Sequence, residues 1–89
     1  MKDTQISKNV LAYTAVFEPA EEGGYIVSVP ALPGLLTQGE TFEESIAMAK
    51  DAIKGYLEVL SDEGEEIPLE KAEVVFTKVL VNNPITTHL

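Results

Sequence analysis

With 89 residues, 15 Asp and Glu against 6 Lys and no Arg, the chain carries a formal charge of −9 at neutral pH. That length suits a single domain, residues 1–89 with a body at about 10–81 and tails at 1–9 and 82–89, and it excludes large multi-domain enzymes. An apolar fraction of 45% predicts a globular chain rather than a disordered one, and no apolar run is long enough to span a membrane.

The absence of Cys removes disulfides, thiolate nucleophiles and Cys-bound zinc, and His88 alone cannot build a histidine metal centre. The opening Met1-Lys2-Asp3-Thr4-Gln5 lacks the apolar stretch of a signal peptide, so the expected compartment is the cytoplasm. Nucleic-acid affinity comes mainly from Lys and Arg displacing counterions, so an acidic chain is not expected to bind DNA or RNA directly. The same charge favours encounter with a basic protein.

In chain order, residues 10–17 (VLAYTAVF) are rich in β-branched and aromatic types. Alternation puts Leu11, Tyr13, Ala15 and Phe17 on one face and Ala12, Thr14, Val16 and Glu18 on the other, which predicts a strand. The adjacent glycines Gly23 and Gly24 permit a reversal, and residues 25–29 (YIVSV) read as the returning strand of a hairpin. Pro30 and Pro33-Gly34 then impose a loop, and residues 35–38 read as a short third strand ending before Gly39-Glu40.

Thr41 and Glu44 have the spacing of a capping box, so a helix is predicted to begin at Phe42. Apolar residues at Phe42, Ile46, Ala49, Ile53, Leu57 and Leu60 form one stripe, widened by Tyr56, and Gly64 is placed to end the helix near Asp62 or Glu63. Glu43 and Glu44 lie where negative charge complements the helix dipole, which gives them a structural role. Residues 73–81 (EVVFTKVLV) read as a fourth strand with both faces largely apolar, a pattern usually covered on both sides. The predicted class is α+β, a small antiparallel sheet packed with one long helix in the order β-β-β-α-β. One helix covers one face of such a sheet, so a homo-oligomer, dimer or tetramer, is expected to cover the rest.

No catalytic group stands out. The carboxylates cluster at the hairpin, the helix start and the helix end rather than at strand centres, where a two-metal nuclease would need them. Ser7, Ser28, Ser45 and Ser61 have only His88 as a conventional base. Gly34 and Gly39 are followed by no phosphate-binding Lys, and Tyr13, Tyr25 and Tyr56 lack the interleaved cations of a base-stacking surface, so turn geometry and half-buried packing account for them. The expectation is a binding or assembly module with no enzymatic activity, cofactor or metal.

Taken together, Phe17-Glu18-Pro19, Glu22-Gly23-Gly24-Tyr25, Val29-Pro30-Ala31-Leu32-Pro33-Gly34 and Thr37-Gln38-Gly39-Glu40-Thr41-Phe42-Glu43-Glu44-Ser45 closely resemble the HicB-like antitoxin domain over about residues 10–81. The resemblance implies a partial RNase H-like fold. It also implies an antitoxin that neutralises a small basic HicA-type mRNA interferase by protein contact. Many such antitoxins continue into a helix-turn-helix or ribbon-helix-helix domain, for which residues 82–89 are too few, so no DNA-binding domain is expected in this chain. The family often has Cys after the Pro-Gly, where this chain has Leu35. The expected partner-binding residues are Glu18, Glu21, Glu22 and Tyr25. The alternatives are an orphan oligomeric scaffold or small-ligand module, or a degenerate RNase H-like nuclease.

Overall fold

The computed structural model describes residues 10–70, 75 and 77–85. Within them lie three antiparallel strands, β1 (Val16–Pro19), β2 (Tyr25–Ser28) and β3 (Leu36–Gly39), followed by one helix, α1 (Phe42–Asp62). The architecture is α+β, with the sheet ordered β1-β2-β3 and the helix laid mainly against β3 and secondarily against β2.

The β1–β2 hairpin closes where the glycines predict it. Gly23 and Gly24 have φ of 101° and 75°, values that side-chain-bearing residues rarely adopt, and the Ala20 amide donates to the Gly24 carbonyl at 3.0 Å. The register pairs Phe17 with Val27 and Glu18 with Ile26, then Val27 with Thr37 and Ile26 with Gln38. Side chains alternate across a strand. Phe17, Val27 and Thr37 therefore share one face, and Val16, Glu18, Ile26, Leu36 and Gln38 share the other with Ser28. Val27 is fully buried, whereas Ile26 and Leu36 are exposed, which identifies the first face as the one under the helix.

The first strand is shorter at its start than its composition predicts. Residues 12–15 belong to no strand, because their polar groups are satisfied elsewhere. The Thr14 amide and hydroxyl donate to the two Glu70 carboxylate oxygens at 2.6 and 2.9 Å, and the Tyr13 hydroxyl donates to the Pro68 carbonyl at 2.6 Å. Tyr13 and Ala15 still pack on the core, as their predicted face requires.

The helix boundaries match their predicted signals. Thr41 Oγ1 accepts from the Glu44 amide at 3.0 Å, and the Glu44 carboxylate accepts from the Glu40 amide at 2.6 Å, one residue earlier than the reciprocal bond of an ideal capping box. At the other end Gly64 has φ of 71°, with Gly64 N–H donating to the Ser61 carbonyl and Glu65 N–H to the Leu60 carbonyl. This is the Schellman arrangement, which satisfies carbonyls the helix leaves open.

The predicted stripe of α1 holds at Ala49, Ile53, Tyr56 and Leu57 and departs from expectation in the first turns. Ser45 and Ala49 are buried, while Phe42 and Ile46 are exposed. The cause is close approach to the sheet. A Cβ on Gly39 would lie 2.6–2.7 Å from the backbone and hydroxyl of Ser45, so only small residues fit at this crossing. Buried Ser45 Oγ is satisfied by donating to the Thr41 carbonyl at 2.7 Å.

The core proper is built by the proline loop. Val29, Leu32 and Leu35 form the buried cluster, against which Tyr13, Ala15, Ala52, Ile53, Tyr56 and Leu57 pack. Leu32 is fully buried between Pro30 and Pro33, and the Tyr56 hydroxyl holds the loop to the helix by donating to the Pro33 carbonyl at 2.8 Å.

Of the predicted fourth strand, 73–81, residues 73, 74 and 76 lie outside the described residues. Val75 and residues 77–81 are exposed and belong to no strand among the described residues.

Candidate functional site: an acidic cleft beside the hairpin

The β1–β2 turn lifts Glu21 and Glu22 to an exposed tip. The backbone there is locked to β3, because a Cβ on Gly24 would clash with the Gly39 carbonyl. Tyr25 follows directly and is half-buried on the helix side of the sheet. Its ring meets Phe17 edge-on at 6.5 Å and Phe42 edge-on at 5.9 Å, and Phe17 lies 4.9 Å from Phe42. Such pairs are worth about 0.5–1.5 kcal/mol beyond their buried area. The triad therefore braces the hairpin against the start of α1 and fixes the tip relative to the helix.

Between hairpin and helix lies a cleft of about 380 Å³, lined by Glu22, Tyr25, Ile26, Gln38, Glu40, Glu44 and Met48 among others. It combines three carboxylates with an aromatic ring and a thioether. That chemistry suits a Lys or Arg side chain, whose charge meets carboxylates while its methylene stem rests on apolar atoms.

Two of the four sequence-predicted site residues, Glu22 and Tyr25, line this cleft. Glu21 stands beside it at the tip. Glu18 does not join them. Its partner across the ladder is Ile26, on the sheet face away from the helix, so Glu18 and Tyr25 point to opposite sides. Glu40 was not among the sequence-derived candidates, and Glu44 was assigned only a capping role. Glu44 does satisfy the Glu40 amide, yet it also lines the cleft. Proximity of the turn to the helix start carried the missing signal: the Gly23-Gly24 reversal and the Thr41 cap sit at the same end of the sheet.

Among the described residues no group of three or more His, Cys, Asp or Glu is arranged to hold a metal ion, and no helix is long and apolar enough to cross a membrane.

The HicB_like antitoxin family of bacterial toxin-antitoxin systems matches residues 13–84, which include the whole described sheet and helix. The chain belongs to this family. Among relatives, it is 43% identical over 65 residues to a UPF0150 protein of Thermoplasma acidophilum, covering 73% of this chain and 94% of that protein. It is 48% identical over 64 residues to Antitoxin HicB 1 of Photorhabdus laumondii, covering 72% of this chain and 41% of that one. Antitoxin HicB of Escherichia coli K12 is 42% identical over 59 residues, with 66% and 43% covered. The chain thus spans nearly all of the first relative and less than half of the two HicB antitoxins. Membership in the HicB-like family supports an antitoxin role, implies a toxin partner, and points to a non-enzymatic regulator.

Proposed function

We propose that the chain neutralises a basic HicA-type mRNA interferase by direct protein contact, using Glu21, Glu22 and Tyr25 of the sequence-derived candidates, with Glu40 and Glu44 completing the cleft and Glu18, on the opposite sheet face, outside it. The observation that carries this reading is the cleft itself, an acidic concavity with an aromatic wall in a protein of the HicB-like antitoxin family. A cationic side chain of the toxin enters it, and the exposed carboxylates at the tip steer the approach. The chain acts as a single folded module in the cytoplasm, without catalysis of its own. Its charge of −9 opposes direct nucleic-acid binding, so inhibition works by covering the toxin rather than by competing for RNA.

A homo-oligomer is part of the same reading. Leu36 is 68% exposed on the open sheet face with Ile26 beside it, and Val59 is 55% exposed on the helix, apolar surface that a second copy would cover.

Calorimetric titration of a HicA-type toxin tests the contact. The parent chain is expected to bind with a saturating heat, and Glu21→Lys combined with Glu22→Lys to weaken affinity at least tenfold at low salt, with a smaller difference at high salt. No binding by the parent would overturn the function. Unchanged affinity of the double variant would overturn only the site.

A further inference from the structure

We infer that a second copy of this chain docks in the apolar groove between the start of β3 and the C-terminal half of α1, so that two helices pack across a twofold axis with Gly55 at the crossing. This rests on the homo-oligomer reading and names the surface that makes the contact.

The groove encloses about 420 Å³, with Gly34, Leu36, Ala52, Gly55, Tyr56 and Val59 among its walls. None of its lining residues is charged, in a chain with 15 carboxylates. Leu36 stands on the strand side and Val59 on the helix side, and both are exposed. Removing two such side chains from water is favourable, and a partner seated in the groove covers both at once.

Gly55 is the residue whose presence the chain's own packing does not explain. It lies inside α1, where glycine destabilises a helix relative to alanine. Gly39 excludes a side chain because Ser45 crowds it, and Gly23, Gly24, Gly34 and Gly64 adopt positive φ. Gly55 has neither property. Its φ is not positive, and among the described residues a Cβ there would meet no atom within 4 Å. The space it leaves opens into the groove. A missing side chain at that place lets a second helix come close, toward the short end of the roughly 8–10 Å interaxial range.

Charge and shape select the occupant. A basic partner finds its complement in Glu22, Glu40 and Glu44 of the acidic cleft, whereas the uncharged walls of the groove are where two bodies of charge −9 meet with least repulsion. A twofold contact needs projection and hollow within one patch, because the same surface serves both copies. This patch has both, with Leu36 and Val59 projecting beside the space left by Ala52 and Gly55. Helical spacing sets the exposed Asp51, Glu58 and Asp62 along the border of the Gly55–Val59 stripe, while Lys50 and Lys54 line a cleft on the opposite flank of α1. Two copies joined here bring like carboxylates toward each other, so their association strengthens as salt screens them. A basic occupant would respond in the opposite direction.

Light scattering on the full chain at micromolar concentration is expected to give about 19 kDa, twice the 9.7 kDa of one chain. Dilution series are expected to show the dimer tightening at least about threefold between about 0.05 and about 0.5 M salt. Gly55→Gln fills the crossing with a good helix former in space that is open within one chain. It is expected to weaken the dimer at least about tenfold with the helical circular dichroism undiminished, and Val59→Gln, at an exposed position, to weaken it in the same direction. Asp51→Asn, Glu58→Gln and Asp62→Asn together are expected to tighten the dimer at low salt and to remove its salt dependence. A dimer indifferent to Gly55→Gln and Val59→Gln, or one that loosens as salt rises, would overturn the groove while leaving the oligomer standing. Loss of toxin affinity in Gly55→Gln with the mass unchanged would assign the groove to the toxin and overturn the second copy there. A monomeric parent chain would overturn both the groove contact and the homo-oligomer.

Discussion

At the scale of single residues, the molecule depends on positions where an added or removed atom has no room to be absorbed. Gly39 is the clearest. The approach of Ser45 leaves no space for a methyl group, so Gly39→Ala must push α1 away from β3. A loss of about 1–3 kcal/mol is expected, in the range of overpacked sites, and urea unfolding at neutral pH measures it. A change below a few tenths of a kcal/mol would show that the helix is not seated where the geometry places it. Tyr13 offers a pH-dependent check. Burial, and then the neighbouring Glu70 carboxylate, raises its phenol above the ordinary value of 10.0. The folded state thus disfavours the phenolate. The stability this contributes is complete below the unfolded value and is lost as pH rises from there through the raised folded one. Tyr13→Phe removes this dependence together with the bond to the Pro68 carbonyl. It is expected to cost about 1 kcal/mol at pH 7, with the deficit shrinking above pH about 10. A deficit that stays constant across that range would contradict the assignment.

At the scale of elements, the proline loop is the least strand-like segment and yet supplies the centre of the core. Leu32→Ala is expected to cost about 2–5 kcal/mol, the range for truncating a fully buried leucine, which chemical denaturation monitored by far-ultraviolet circular dichroism would show. A cost near zero would mean that the loop only caps the domain. This segment also shows how far the sequence was legible. The Gly23-Gly24 reversal, the Thr41 cap and the Gly64 stop are local signals, each set by the conformational needs of one or two residues, and each lies where its chemistry requires. The burial of Leu32 is set instead by what surrounds the loop, and a leucine between two prolines has no periodicity to announce it. The burial of Ser45 in the first turns of the helix, in place of Phe42 and Ile46, has the same origin. Ser45 faces the sheet because Gly39 permits contact there, a pairing of positions on different elements. Val10 through Ala15 have the composition of a strand, but Glu70, more than fifty residues later, satisfies the Thr14 amide.

The candidate site was legible in the same proportion. The acidic tip and Tyr25 follow from the hairpin signal, whereas the joining of Glu22 to Glu40 and Glu44 requires knowing that the hairpin end and the helix start meet. Glu18 fell on the opposite face because strand alternation placed it across from Ile26.

At the scale of the whole molecule, size and charge assign a role to each part. The acidic body, with its cleft beside the hairpin, is the surface proposed to meet a basic partner. Contact through that surface requires no catalytic group, which fits a HicB-like antitoxin. The central claim is neutralisation, and the most direct measurement is RNA cleavage by a HicA-type toxin in the presence of increasing amounts of the full chain. Cleavage is expected to fall to background near stoichiometric addition and to recover when the chain carries Glu21→Lys and Glu22→Lys. Undiminished cleavage at a large excess of the parent chain would contradict the account.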